Sequence, residues 1–160
     1  MKQCAAFPRK ILMINENNKE QILKDFTQLN LTRYIEETVQ HLSSESNKID
    51  DNDIPFLIDL CSLIHQRYSE FSELIASKLS EILLTQTKSL SLEKRDSIFP
   101  HQRRNFHLLI EFFIVGIFDD YNIIFECIKN IVKKFFLSTN FVHFNFISQQ
   151  IQKIRSKMTQ

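Results

Sequence analysis

Glycine is nearly absent from this sequence of 160 residues, which contains one glycine, three prolines and no tryptophan. Average usage predicts about 11 glycines in a chain of this length. A single glycine excludes the P-loop and the GxGxxG dinucleotide motif, since each needs at least two glycines. A chain with one glycine also cannot contain many tight turns or hairpins of the kinds that require glycine. The composition therefore favours an all-α protein and removes most classes of nucleotide-binding enzyme.

Cysteines are also few, and long apolar runs are missing. The three cysteines are far apart and form no CxxC pair, which predicts reduced thiols in an intracellular protein. The most apolar stretch, Phe106 to Phe118, has 13 residues and contains His107 and Glu111. It is too short and too polar to cross a bilayer. We therefore expect a cytoplasmic protein, with a perinuclear position as the alternative within that compartment.

Charge is balanced overall, with a formal net charge of +1, but it is unevenly distributed. Residues 16–81 contain 6 basic and 13 acidic side chains, whereas no acidic residue follows Glu126. A basic end of this kind fits a surface for RNA or an acidic partner, or simply the solvated face of the last helices. The candidate residues are Lys129, Lys133, Lys134, Lys153, Arg155 and Lys157.

Apolar residues recur at helical spacing through most of the chain. The pattern predicts about seven helices, with polar connections at 43–53 and 86–100. The predicted helices are 19–28, 32–46, 53–68, 73–85, 101–118, 121–136 and 141–157. Short links between them favour a stack of antiparallel helical hairpins of the HEAT-like, α-solenoid type. An orthogonal helical bundle is the competing architecture.

Cys61 and His65 are the one pair of residues that suggests chemistry, because a spacing of four places them on one helical face. A nucleophilic dyad normally places its two members on separate elements. A zinc site needs four ligands, and no second spaced pair of Cys or His follows. We therefore interpret Cys61 as a structural residue and His65 as a capping or hydrogen-bonding residue. No catalytic residue, metal site or cofactor is predicted, and the protein is expected not to be an enzyme.

Three sequence blocks carry a resemblance to a known family. The blocks are Leu60-Cys-Ser-Leu-Ile-His-Gln-Arg-Tyr-Ser-Glu-Phe71, Arg103 with Leu109-Ile-Glu-Phe-Phe-Ile-Val-Gly-Ile-Phe-Asp119, and Phe26 with Leu29-Asn-Leu-Thr-Arg-Tyr-Ile35. In this order and spacing they resemble the first middle domain of initiation-factor-4G type (MIF4G) in the family of the second up-frameshift (Upf) factor. That family is the scaffold of nonsense-mediated mRNA decay. The resemblance covers about residues 5–135.

The resemblance implies a non-catalytic adaptor in mRNA surveillance that acts through protein–protein contacts. It implies an MIF4G-type α-solenoid, with an N-terminal extension at 1–18 and a single partial domain at 19–157. Its partners would be other surveillance proteins of the Upf helicase complex, reached through the full-length protein, with neither a membrane nor a small-molecule substrate. The family's acidic tail and later domains, and several C-terminal helices, have no counterpart in the sequence, so we expect a shortened or partial chain. RNA binding by the basic C-terminal face is the alternative function.

The matching blocks also single out residues with a structural role: Cys61, His65, Gln66, Arg67, Tyr68, Arg103, Glu111 and Gly116. Two specific hypotheses follow. Arg67 and Glu111 are expected to form an ion pair between the third and fifth predicted helices. Gly116, placed inside the fifth helix, is expected to allow a close approach by a neighbouring helix.

The last predicted helix has an apolar face that no later helix would cover. Its members are Phe141, Phe144, Ile147, Ile151 and Ile154. We expect this face to be exposed and to promote self-association or poor solubility.

Overall fold

The structure, a computed structural model, describes residues 2–84, 92–135 and 142–158, with side chains placed for 3–84, 100–131 and 148–157. These ranges contain eight α-helices and three short 3-10 helices and no strand, which confirms the all-α prediction. The α-helices are α1 (Lys2–Ile11), α2 (Lys19–Gln28), α3 (Ile35–Glu45), α4 (Ile54–Arg67), α5 (Glu70–Leu84), α6 (Leu92–Ile114), α7 (Tyr121–Phe135) and α8 (Val142–Met158). The 3-10 helices are Thr32–Tyr34, Ser46–Lys48 and Asp51–Asp53.

The helices pack in two rows. Helices α1, α3, α5 and α7 lie side by side in one row, and α4, α6 and α8 lie side by side in the other. Contacts of α5 with α4 and α6, and of α6 with α7, join the two rows. From α3 onward, each helix packs against the next but one, which is the arrangement of stacked helical hairpins. The α-solenoid prediction is therefore confirmed over the orthogonal bundle.

A single apolar core runs between the rows. Its largest fully buried side chains come from α1, α5 and α6, and they include Phe7, Phe71, Phe106 and Phe112. Phenylalanine supplies the volume between helices that tryptophan, absent here, would otherwise fill.

Helix α1 lies within residues 1–18, where no helix was predicted. Phe7 and Ile11 are fully buried, and α1 packs against α2 and α3. Pro8 inside the helix hides this element from the sequence pattern, because proline normally interrupts a helix. The buried residues of α1 therefore belong to the same apolar core as those of the helices that follow.

Two predicted boundaries are wrong. Helix α6 begins at Leu92 and continues through Pro100, nine residues ahead of the predicted start at 101. The residues before Pro100 include Leu, Glu, Lys and Arg, which are strong helix formers. The predicted connection 43–53 contains the end of α3 and two 3-10 helices, because Ser43 and Ser46 are buried against α6 rather than exposed in a loop.

Candidate functional site

The signature residues at the end of α4 bind the connection between α2 and α3. The Arg67 Nη1 donates a hydrogen bond to the Phe26 carbonyl oxygen at 2.8 Å. The same guanidinium lies over the ring of Phe26, 5.5 Å from its centroid. The Tyr68 hydroxyl oxygen accepts a hydrogen bond from the buried Leu31 N–H at 2.9 Å. Arg67 and Tyr68 therefore hold two of the three matching sequence blocks together.

The predicted ion pair between Arg67 and Glu111 is wrong. Arg67 is directed to α2, whereas Glu111 pairs with Lys153 on α8 and with His107, whose Nε2 is 3.2 Å from the Glu111 Oε1. Burial lowers the pKa of His107, and the nearby Glu111 carboxylate opposes that shift. Glu111 thus joins α6 to α8 rather than to α4.

Cys61 and His65 form no assembled nucleophile in this structure. Cys61 is fully buried, and burial raises the pKa of its thiol well above the ordinary range. A thiol in such a site is held in its unreactive protonated form. The His65 Nδ1 is buried and has no hydrogen-bond partner among the side chains that the structure describes, and the neighbouring Gln66 is exposed. Across the described residues, no group of three or more His, Cys, Asp or Glu side chains is arranged to hold a metal ion.

Gly116 ends α6 instead of lying inside a helix, which corrects the predicted close helix approach. Its φ is +79°, a left-handed conformation that glycine adopts without strain. The Ile117 N–H donates to the Phe112 carbonyl at 2.9 Å, and the Gly116 N–H donates to the Phe113 carbonyl at 3.2 Å. These two bonds define a Schellman C-cap. Apart from the glycine and its chain neighbours, no atom of the described residues lies within 4 Å of the position a Gly116 Cβ would occupy, so no described helix requires the glycine.

The predicted basic surface is divided between two helices, and several of its members have partners within the chain. Lys129, on α7, pairs with Glu126 at 2.7 Å. Lys153, on α8, pairs with Glu111, and the Lys157 Nζ donates to the Phe113 carbonyl. Arg155 is exposed. The side chains of Lys133 and Lys134 lie outside the described residues.

The predicted apolar face of α8 is described only in part. Ile151 is 42% exposed, whereas Ile154 is partly buried and packs against the core. Phe141, Phe144 and Ile147 lie outside the described side chains. The exposed face and the self-association that it would cause therefore stay a prediction.

A buried polar network, which the sequence analysis missed, joins α6 to the end of α3. Asn105 is fully buried; its Nδ2 donates to the Ser43 carbonyl at 2.8 Å, and its Oδ1 accepts from the Ser46 hydroxyl at 2.6 Å. The Nε2 of His101 lies 2.9 Å from the same carbonyl. The signal in the sequence was weak: Asn105 directly precedes the apolar run that begins at Phe106, and a buried amide there calls for a polar partner.

Arg103, the remaining signature residue, is exposed on α6 and lines a groove between α6 and α8. Arg104, beside it in sequence, forms an ion pair with Asp51. Among the described helices, none combines the length and the apolar character that crossing a membrane would require.

Paired rows of helices with an extended polar surface are typical of helical-repeat binding proteins, and this is the class that the fold defines. Comparison with known proteins identifies the relatives. The chain is 33% identical over 135 residues to human regulator of nonsense transcripts 2, and 30% identical over 132 residues to regulator of nonsense transcripts UPF2 of Arabidopsis thaliana. The mouse regulator of nonsense transcripts 2 is also 33% identical over 135 residues.

Each of these matches covers 82% of the chain, so the resemblance to the family of the second Upf factor is confirmed over most of its length. The chain spans only 10% of the length of the human and mouse relatives and 11% of the plant relative. No family model matches the chain. No solved structure matches it either.

Proposed function

We propose that the chain is a non-catalytic scaffold module of the mRNA surveillance machinery that acts in nonsense-mediated decay through protein–protein contacts. The observation that carries this proposal is the similarity of 82% of the chain to regulators of nonsense transcripts in plants and mammals. The two-row helical fold is compatible with it, because helical arrays present broad outer surfaces for partners. The matching blocks support an MIF4G domain of the first type, and the location we propose for it is cytoplasmic or perinuclear.

The partners we propose are other surveillance proteins of the Upf helicase complex. The family contacts its helicase and the third surveillance factor through regions with no counterpart in this sequence. We therefore propose that the contacts with the helicase and the third surveillance factor are made by the full-length protein. The RNA-binding alternative is not favoured, because the similarity to regulators of nonsense transcripts supports the scaffold function.

The experiment that tests the proposal measures mRNA half-lives in cells from which the gene has been removed. A reporter mRNA with a premature stop codon should decay severalfold more slowly than in normal cells, and the same reporter without that codon should be unaffected. Supplying the chain again should restore rapid decay. An unchanged half-life of the reporter with the premature stop codon would contradict the proposed function.

A further inference from the structure

A polar groove with a volume of about 930 Å³ lies between α6 and α8, beside the 3-10 helix that contains Asp51. Arg103 and Arg104 line it from α6, and Lys153 lines it from α8. Asp51 is the one carboxylate among its lining residues. The lining therefore carries an excess of positive charge, in a chain whose net charge is only +1.

Gln150 places a polar atom that needs a partner on the wall of this groove. The residue is only 4% exposed, and its Oε1 has no hydrogen-bond partner among the described residues. An unsatisfied buried acceptor is costly, and native structures keep few of them. Gln149 and Gln152 also line the groove and are exposed. The wall formed by α8 therefore offers amide groups next to the arginines.

The ion pair of Arg104 with Asp51 leaves room for an incoming anion. The Asp51 side chain, which pairs with Arg104, is 83% exposed, whereas the Arg104 side chain is 16% exposed. The Arg104 Nη1 is the buried nitrogen that meets the Asp51 Oδ1, and this contact lacks hydrogen-bond geometry. An exposed carboxylate such as that of Asp51 is a weak competitor, because exposed ion pairs contribute little free energy. A better-oriented carboxylate can form the charge-assisted hydrogen bond that this contact lacks.

We propose that this groove binds an acidic peptide segment of a protein partner, with its carboxylates at Arg103 and Arg104 and a backbone N–H at the Gln150 Oε1. An extended peptide carries an N–H donor at nearly every residue, so it can satisfy the glutamine oxygen while its side chains meet the arginines. The phosphodiester oxygens of a nucleic acid backbone accept hydrogen bonds and cannot donate to Gln150. The inference deepens the proposed scaffold function and rests on it for the partner being a protein.

Binding is tested with a fluorescently labelled peptide that alternates Glu and Ser, measured by fluorescence anisotropy on the whole chain. A peptide that alternates Gln and Ser has the same backbone without the charge. We expect the acidic peptide to bind and its affinity to fall with added salt. The neutral peptide should bind at least about tenfold more weakly.

Two charge reversals locate the site. Arg103→Glu should weaken binding of the acidic peptide about tenfold, because an attraction becomes a repulsion. Arg33→Glu makes the same change of net charge at an exposed residue that does not line the groove, and it should leave the affinity unchanged. Equal effects of the two substitutions would show nonspecific electrostatics and would overturn the proposed site.

Gln150→Leu separates a binding role from a structural role. Removing an unsatisfied buried polar group should leave the melting temperature unchanged or raise it. The same variant should bind the acidic peptide several times more weakly, because the acceptor for the peptide N–H is lost. A fall in the melting temperature with unchanged peptide binding would overturn the proposal.

Competition with polyuridine and with inorganic phosphate distinguishes other ligands. Tighter binding of polyuridine than of the acidic peptide, lost in Arg103→Glu, would overturn the peptide proposal in favour of RNA. Equal competition by inorganic phosphate at matched charge would reduce the groove to a general anion site. If the chain restores rapid decay of the reporter but does not bind the acidic peptide, the groove proposal is overturned and the proposed function stands. If the chain binds the peptide but does not restore rapid decay, only the proposed function is contradicted.

Discussion

Tyr68 shows how one hydroxyl group can connect distant parts of the sequence. It lies just after α4 and is 6% exposed, yet its hydroxyl satisfies the N–H of Leu31, 37 residues earlier. Replacement of Tyr68 by phenylalanine keeps the ring and leaves that buried N–H without a partner. Loss of such a bond costs about 1–3 kcal/mol.

We therefore expect Tyr68→Phe to lower the free energy of unfolding by about 1–3 kcal/mol in urea denaturation. Tyr121→Phe is the matched control, because Tyr121 is 61% exposed and its change should stay within about 0.5 kcal/mol. If both variants unfolded at the same urea concentration, the hydroxyl of Tyr68 would have no structural role.

Gly116 is a second residue whose role depends on its backbone conformation. Its φ of +79° disfavours a residue with a Cβ, although the space around it is open. Gly116→Ala should therefore lower the free energy of unfolding by about 1–2 kcal/mol. Gly116→Asn should cost less, since asparagine tolerates this conformation. A larger loss with the bulkier asparagine in thermal unfolding would instead indicate a tight helix contact.

At the scale of the helices, Asn105 joins the two rows. Its side chain reaches Ser43 and Ser46 at the end of α3, and all three residues are fully buried. Asn105→Leu keeps a similar volume but removes the partner of the Ser46 hydroxyl. We expect a loss of about 1–3 kcal/mol in the free energy of unfolding, measured by urea denaturation.

Asn130→Leu serves as the control for Asn105→Leu. Asn130 donates to the Leu84 carbonyl at an exposed position, 3.2 Å away. Water can replace that partner, so we expect a change within about 0.5 kcal/mol. Equal losses for the two variants would contradict a special role for the buried amide.

The contact of α6 with α8 predicts a pH dependence. The pKa of His107 is lowered from its ordinary value of 6.5, mainly by burial, so the unfolded chain takes up the proton first as the pH falls. The stability contributed by the neutral ring is complete above pH 6.5 and is lost as the pH falls below that value. The groups that face this ring are Glu111, Lys153 and Arg104.

His107→Gln should accordingly lose less stability than the normal protein between about pH 7.5 and pH 5. Urea denaturation across that range measures the two curves. Parallel curves would show that His107 does not titrate differently in the folded and unfolded chain.

At the scale of the whole molecule, α1 tests whether residues 1–18 belong to the folding unit. Phe7 is 1% exposed, and its ring centroid lies 6.3 Å from that of Phe26 on α2. Phe7→Ala should lower the free energy of unfolding by about 3–5 kcal/mol in a single cooperative transition. Met13→Ala, at a residue that is 70% exposed, should have little effect. An unchanged stability in Phe7→Ala would make these residues an appendage.

The sequence by itself determined the helical class, most helix positions and the family resemblance. Helical spacing of apolar residues is a local property, and it placed α2 at its observed boundaries. Among the residues of the matching blocks, Tyr68 forms a buried hydrogen bond between distant segments, whereas Gln66 and Arg103 are exposed, so a structural role for the whole set stays a prediction. The sequence also excluded nucleotide-binding sites that depend on glycine-rich loops, because that conclusion needs only the number of glycines.

Only the tertiary structure decided which side chains meet. Arg67 and Glu111 lie in matching blocks on α4 and α6, yet each finds a closer partner, because the rotation of a helix about its axis decides where a long side chain reaches. The C-cap at Gly116 depends on a backbone angle that composition does not specify. The groove between α6 and α8 brings together residues about 50 positions apart in the sequence, and no local pattern records such a distance.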